Sequence, residues 1–293
     1  LASGDEGGEV RLWDAAAGGD ATAVRPASDE VSALVMLLDG RRLAVGVDAE
    51  GEGGCVEVWD VSATPPVRAE STDTGIPCGS AVSALAVLAN GHLAVGDNHG
   101  KVRVVDVDAG GVSAVLNVFT DRHNVSALAV LPNGELAVGS KDGAVHVWDV
   151  GTKACIAVLG GHTGWVRLLA VLADGRLACG AGTGVVALWD VGARTCVGTL
   201  AGHSDDVSAL AALPDGRIVT GSDRGELQLW DTRPAATAAV ATTCRATGTV
   251  PVSVLAHVTF LNNLLVPLSD GRIAVACGDD ILLLEVPPPA TYE

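Results

Sequence analysis

Lysine is nearly absent from this 293-residue chain, occurring only at positions 101, 141 and 153. Lys and Arg together number 18 against 35 Asp and Glu, for a formal charge of −17. A surface of that sign repels phosphate, which argues against nucleic acid or an anionic membrane surface as a general partner. Aromatic residues are only 3% of the chain, so the core has to be built mostly from Val, Leu and Ala. No apolar run approaches the roughly 18 residues of a membrane-spanning helix, and no membrane insertion is expected. C-x-x-C pairs are missing among the seven cysteines, and Cys155 and Cys196 each lie seven residues before a Gly-His histidine, as one repeat position used twice. The cysteines therefore read as reduced core or loop residues, not a disulfide frame or zinc site. That favours the inside of the cell: the cytoplasm is expected, with the nucleus open. An initiator Met is also missing and the sole Met is Met36, so the opening LASGDEGGEVRLWD reads as a fragment of a longer chain.

What the chain has in quantity is self-similarity. VSALAVLPNGELAVGSKDGAVHVWDV (125–150) repeats as VSALAVLANGHLAVGDNHGKVRVVDV (82–107), VRLLAVLADGRLACGAGTGVVALWDV (166–191) and VSALAALPDGRIVTGSDRGELQLWDT (207–232). In these four units the turn glycine precedes one fixed position by 14 residues: Gly91 to Val105, Gly134 to Trp148, Gly175 to Trp189 and Gly216 to Trp230. Residues 31–61 carry the same plan with an insertion, and 262–286 a degenerate version with Leu284 in the Trp place. The Trp-position residues 13, 59, 105, 148, 189, 230 and 284 are spaced by 46, 46, 43, 41, 41 and 54 residues. That period suits a propeller blade. Each unit divides into a nearly continuous apolar run, an Asn-Gly or Asp-Gly turn, a second run, a glycine turn, and a third run ending at the Trp position. A fourth run, such as ACIAVLGGH (154–162), completes an antiparallel ladder of four strands.

Ending in Trp-Asp and opening in places with Gly-His, the units resemble WD repeats over essentially the whole chain. The resemblance implies an all-β, seven-bladed propeller of four-stranded antiparallel blades. It implies one domain over 1–293, with units ending near 14, 60, 106, 149, 190, 231 and 285. The first unit lacks a VSALAVL-type inner strand, so an incomplete first blade is expected. In that family a histidine, a Ser or Thr, a turn Asp and the Trp form a structural hydrogen-bond tetrad. Its best match is His203, Thr220, Asp223 and Trp230, with Asp223 one residue early. Elsewhere it is eroded: Val138 replaces the hydroxyl residue beside His123, Asp142 and Trp148, and Cys179 and Thr183 fill places beside His162 and Trp189. Such blades are expected to rely on apolar packing.

No catalytic residue emerges from the comparison of units. Two places before the Trp position stand Arg11, Glu57, Arg103, His146, Ala187 and Gln228, which share no chemistry. The glycine-rich GAGTG (180–184) precedes a strand, whereas a phosphate loop follows a strand and opens a helix. Asp205-Asp206 and Asp279-Asp280 sit in loops as solvated pairs. His162 and His203 have no partner at ligand spacing, so no metal and no cofactor are expected.

Function then has to lie on a face, and the resemblance points to the loops before first strands and between second and third strands. These carry Glu30, Asn124, Trp165, Asp206 and Leu261 in the first set, and Asp97, His99, Lys141 and Arg224 in the second. Trp165 alone among six tryptophans lies outside the Trp slot; it is either an exposed interface anchor or a residue packed over a blade edge. Lys141 is a solvated turn residue or a binding contact. An acidic insertion, VDAEGEGG (47–54), suggests attraction of a basic peptide. The insertion TRPAATAAVATTCRATGTVP (232–251) is expected on the opposite face as a mobile loop. With Trp230 and Asp231 it forms WDTR, similar to the WDxR motif of substrate receptors in cullin–RING ubiquitin ligases. The expected function is a non-catalytic protein-interaction scaffold within a multiprotein complex. A ligase substrate receptor is one alternative, and a propeller enzyme or small-ligand binder using the central channel is another.

Overall fold

Repeated hairpins organise the described residues. In each, an Asn-Gly or Asp-Gly pair closes a turn with the glycine at positive φ, between 85° and 87° at Gly91, Gly134, Gly175 and Gly216. The residue before the turn bonds across it in the same way each time, as in Leu131 N to Glu135 O at 2.8 Å and Leu172 N to Arg176 O at 2.8 Å. A side chain would be strained at that φ, which is why glycine recurs there.

The computed structural model describes residues 2–5, 7–13, 22–24, 30–48, 53–69, 75–119, 123–162, 164–232, 246–249, 265–268, 271–277 and 280–286. Among them there is no helix, and the strands form antiparallel sheets. The first sheet holds Ala2–Gly4, Val10–Leu12 and Thr22–Val24. The second holds Glu30–Met36, Arg42–Asp48 and Cys55–Asp60, with Val67–Arg68 and Ile76–Pro77 both paired to Cys55–Asp60 as a divided outer strand. The third holds Val82–Val87, Leu93–Asp97, Lys101–Asp106 and Gly111–Asn117, and the fourth Val125–Val130, Leu136–Ser140, Ala144–Asp149 and Ala154–Gly160. The fifth holds Val166–Val171, Leu177–Ala181, Val185–Asp190 and Thr195–Ala201. The sixth holds Val207–Ala212, Arg217–Ser222, Leu227–Asp231 and Ala246–Thr249; the seventh Leu265–Pro267, Arg272–Cys277 and Asp280–Glu285.

The expectation of seven four-stranded blades is therefore corrected. The first and last sheets have three strands each among the described residues, so fewer than seven four-stranded blades are described. The insertion over 232–251 is also not all loop, because Ala246–Thr249 supplies the outer strand of the sixth sheet. The degenerate last unit does keep the register: Ile273 faces Leu284 as Ile218 faces Trp230 and Leu177 faces Trp189.

The chain clusters into two compact units, 1–141 with 146–157, and 142–145 with 158–293. In the first, one aliphatic cluster joins Ala44, Val56, Val58, Ile76, Val82, Leu93, Val95 and Val105, and the next includes Val102, Leu116, Val125, Leu136 and Trp148. Glycine sets the spacing here. A Cβ at Gly46 would fall 2.7 Å from Val82 Cγ1, and at Gly4 or Gly96 it would overlap Val31 or Val125. In the second unit, Leu168, Leu188, Leu200, Val207, Ile218 and Trp230 form one cluster, and Val219, Leu229, Leu265, Ile273 and Val275 another.

Candidate functional site

Each sheet contains a slot where the Trp position meets the residue on the neighbouring strand, and the slot is filled in different ways. In the sixth sheet Trp230, 1% exposed, donates its indole N–H to Thr220 Oγ1 at 2.7 Å. Thr220 Oγ1 also lies 2.6 Å from His203 Nε2. With Nε2 as the acceptor, the threonine hydroxyl donates its proton to the ring nitrogen, so the indole, hydroxyl and Nε2 are matched while Nδ1 is buried without a hydrogen-bond partner among the described residues. Burial holds His203 below the ordinary histidine pKa, opposed by the Glu226 carboxylate, whose oxygen is 3.6 Å from Nδ1. Asp223, expected as the fourth member, is instead exposed in its turn, its N–H donating to Asp206 O at 3.0 Å.

The equivalent slot of the fifth sheet holds Cys179 against Trp189, with His162 nearby in sequence order as His203 is to Trp230. There the indole Nε1 of Trp189 and Nε2 of His162 are buried without a hydrogen-bond partner among the described residues. Burial alone lowers the His162 pKa. In the first unit Val138 likewise leaves Trp148 Nε1 without a partner among the described residues. The third sheet avoids the problem by carrying Val95 and Val105, both fully buried. The first restores the bond, with Trp13 Nε1 donating to Ser3 Oγ at 2.9 Å. The second reroutes it: Trp59 Nε1 donates to Glu57 Oε2 at 3.1 Å, and Arg68 Nη2 donates to Glu57 Oε1 at 2.6 Å. Glu57 is 1% exposed, and a buried carboxylate needs such a partner. The strand position that shares no chemistry thus matters structurally after all. His146, at that position, packs edge-on against Phe119 with ring centres 4.9 Å apart.

The face residues separate into buried and accessible ones. In the first unit Asp97 is fully buried; it pairs with Arg103 and accepts from the backbone N–H groups of His99 and Lys101 at 2.8 and 2.9 Å. It shapes the loop and is closed to a partner. His99 is exposed, its Nδ1 2.5 Å from Ser80 Oγ, and Asn124 Nδ2 donates to Asn98 Oδ1 at 3.2 Å. Lys141 and Glu30 are exposed. Asp48, which opens the acidic insertion, turns inward to accept Val82 N–H at 2.9 Å, and burial raises its pKa. Residues 49–52 of that insertion and Leu261 lie outside the described residues.

The second unit gathers three of the expected residues with one that the sequence pattern did not single out. Trp165 is half-buried, and the Arg167 guanidinium lies 4.7 Å from its ring centre. Arg167 Nη1 is 3.9 Å from Asp206 Oδ2. Asp205 Oδ2 accepts from Arg224 Nε at 2.8 Å, and Arg224 lowers the Asp205 pKa after the larger effect of the Asp206 backbone N–H. Backbone bonds from Gly182 N to Trp165 O (3.1 Å) and from Asp223 N to Asp206 O tie the loops in pairs. Trp165 is covered on one side by Arg167 and remains partly accessible. A signal for Arg167 existed in the repeat, since Ser32, Ser83, Ser126 and Ser208 occupy its place elsewhere.

The slot, the hairpin and the blade register all follow one repeat, and the comparison with known families agrees. The family profile described as "WD domain, G-beta repeat" (WD40) matches residues 114–149, 153–190 and 194–231. These are WD40 repeats. The second and third WD40 matches run from an outer strand through the third strand of the following sheet, so each sequence repeat is offset by one strand from its blade. A solved structure titled "Crystal Structure of Mitotic Checkpoint Complex" contains a chain similar in fold, with TM-score 0.76 and 20% identity. The match covers 97% of this chain and 84% of that one. At that identity the likeness establishes the β-propeller fold alone. No curated protein matches the sequence.

In WDTR, Thr232 is 1% exposed, its hydroxyl donates to Gly216 O at 2.6 Å and its carbonyl accepts from Arg176 Nη2; Arg233 lies outside the described residues. Among the described residues no group of three His, Cys, Asp or Glu is placed to hold a metal. Cys55, Cys78, Cys155, Cys179 and Cys196 are free thiols. Burial pushes the Cys78 thiol up to about 12 and raises Cys179 further, which keeps both protonated.

Proposed function

We propose that this WD40-repeat chain is a non-catalytic scaffold that holds a protein or peptide partner, within a multiprotein assembly inside the cell. The observation that carries the reading is the loop cluster of the second unit. There Trp165, Asp206, Asp205 and Arg224, on loops cross-tied by backbone bonds, meet Arg167 at the start of the strand Val166–Val171. A half-buried tryptophan ringed by charged groups has the make-up of an interface anchor with a polar rim. The formal charge of −17 supports a partner that is basic overall, drawn in by the long-range field.

The test is quantitative affinity purification with the chain and its Trp165→Ala variant. The reading predicts a reproducible set of partners that is depleted at least about tenfold by the substitution, as for an anchor residue. Undiminished recovery of every partner would place the interface elsewhere.

A further inference from the structure

The five described inner-strand starts of the repeat carry Ser32, Ser83, Ser126, Arg167 and Ser208. Ser32 and Ser83 serve local hydrogen bonding: Ser32 Oγ donates to Gly46 O at 3.2 Å and Ser83 Oγ to Val125 O at 2.6 Å. Residue 167 sits where the pairing of Val166–Val171 with Leu177–Ala181 shifts register, between Val166 and Leu168. Such a bulge re-aims a side chain away from the regular ladder. Here the re-aimed side chain is a long cation, and it arrives together with Trp165, which is equally foreign to its own repeat position. Two departures from a repeat at one spot have no role in the shared fold, because the other blades are built without them.

The guanidinium is held but not used. Its Cζ lies over the Trp165 ring, 4.7 Å from the centre, and its side chain remains 38% exposed. Asp206 at 3.9 Å is beyond the 2.7–2.9 Å of a charge-assisted hydrogen bond. Other arginines of the same unit are differently placed: Arg176, Arg217 and Arg224 each donate to a neighbouring aspartate at 2.7 or 2.8 Å. Arg167 donates no hydrogen bond to any described residue. A planar, oriented fork with its donors open matches a carboxylate, which it engages through two parallel N–H bonds. Asp205 and Asp206 close by make a doubly charged phosphate a poorer fit than a singly charged carboxylate.

We propose that Arg167, positioned by Trp165, is a recognition site for a single aspartate or glutamate carboxylate on the partner segment. This rests on the scaffold reading and adds a chemical identity to its central contact. The partner is then basic overall, with one acid placed against Arg167.

The probe is a capped peptide with one glutamate flanked by lysines, alongside its glutamine and phosphoserine twins. Binding to the full chain is followed by the Trp165 indole N–H resonance, assigned with Trp165→Phe. The glutamate peptide is expected to shift that resonance saturably and to bind about tenfold more tightly than the glutamine twin. Arg167→Gln is expected to erase the difference between the twins, and Arg167→Lys to restore only part of it, since an ammonium lacks the fork. Unshifted indole resonances of Trp148, Trp189 and Trp230 in the variants show that the fold is intact. Equal affinity for the glutamate and glutamine peptides, absence of saturable binding, or a glutamate preference that survives Arg167→Gln would overturn the proposal. Tighter binding of the phosphoserine twin would overturn the carboxylate assignment in favour of phosphate. The scaffold reading fails separately: it survives if Trp165→Ala still strips partners from the chain while Arg167→Gln does not.

Discussion

The fifth and sixth sheets of the second unit share register, hairpin and Trp position, yet differ in the buried side chain beside the Trp. Thr220 supplies an oxygen that takes the Trp230 N–H and meets His203 Nε2. Cys179 occupies the matching place, and Trp189 Nε1 and His162 Nε2 have no partner among the described residues. Each buried polar group left unmatched costs about 1–3 kcal/mol. The blade with cysteine nevertheless keeps the same strands, because Leu177, Ala178, Leu188 and Leu200, all nearly inaccessible, bury the same apolar surface. The polar network thus trims a fold that aliphatic packing already determines.

That comparison can be broken from both sides. Thr220→Val imposes the fifth sheet's deficit on the sixth and should produce the largest loss, about 2–4 kcal/mol, with accelerated exchange of the Trp230 indole proton as the local readout. A loss under about 0.5 kcal/mol would show that the network contributes nothing. Cys179→Ser makes the reverse change, offering an acceptor to Trp189 and a donor to His162. It is expected to raise stability by about 1 kcal/mol, read from the denaturant midpoint. If the serine variant is less stable than the parent, the two slots are not equivalent.

A smaller effect should follow pH. Burial depresses His162 and His203 below the ordinary value of 6.5. Their imidazoles protonate more readily in the unfolded chain than in the fold, so their stabilising contribution is complete above pH 6.5. It declines as pH falls from there through the folded values. Thermal midpoints recorded between about pH 7.5 and 5 should therefore fall on acidification, and Thr220→Val should alter the slope. The smallest effect on stability belongs to the surface: Trp165→Ala should shift it by less than about 0.5 kcal/mol while changing binding.

The glycine-to-Trp interval of 14 residues in four units made the blade plan legible in the sequence, and one residue fewer from Gly271 places Leu284 at the Trp position of the last unit. The slot chemistry was partly legible, because Thr220, Cys179 and Val138 differ openly in what they can accept. The loop position of Asp97 does not reveal its burial, because the pairing with Arg103, six residues on, is set by the fold. The Trp59–Glu57–Arg68 network was hidden for a similar reason: Arg68 comes from a short outer strand beyond an irregular turn. Arg167 escaped notice because a strand residue in a bulge points where the alternation of a regular strand does not take it.

The most direct test of the functional account is site-specific photocrosslinking at two positions of one blade. A photoreactive phenylalanine replaces either Trp165, before the first strand of the fifth sheet, or Ala173, in the exposed hairpin at that strand's other end. The account predicts defined protein adducts from position 165 and none from position 173. Adducts concentrated at 173, or absent at 165 while partners still co-purify, would contradict it.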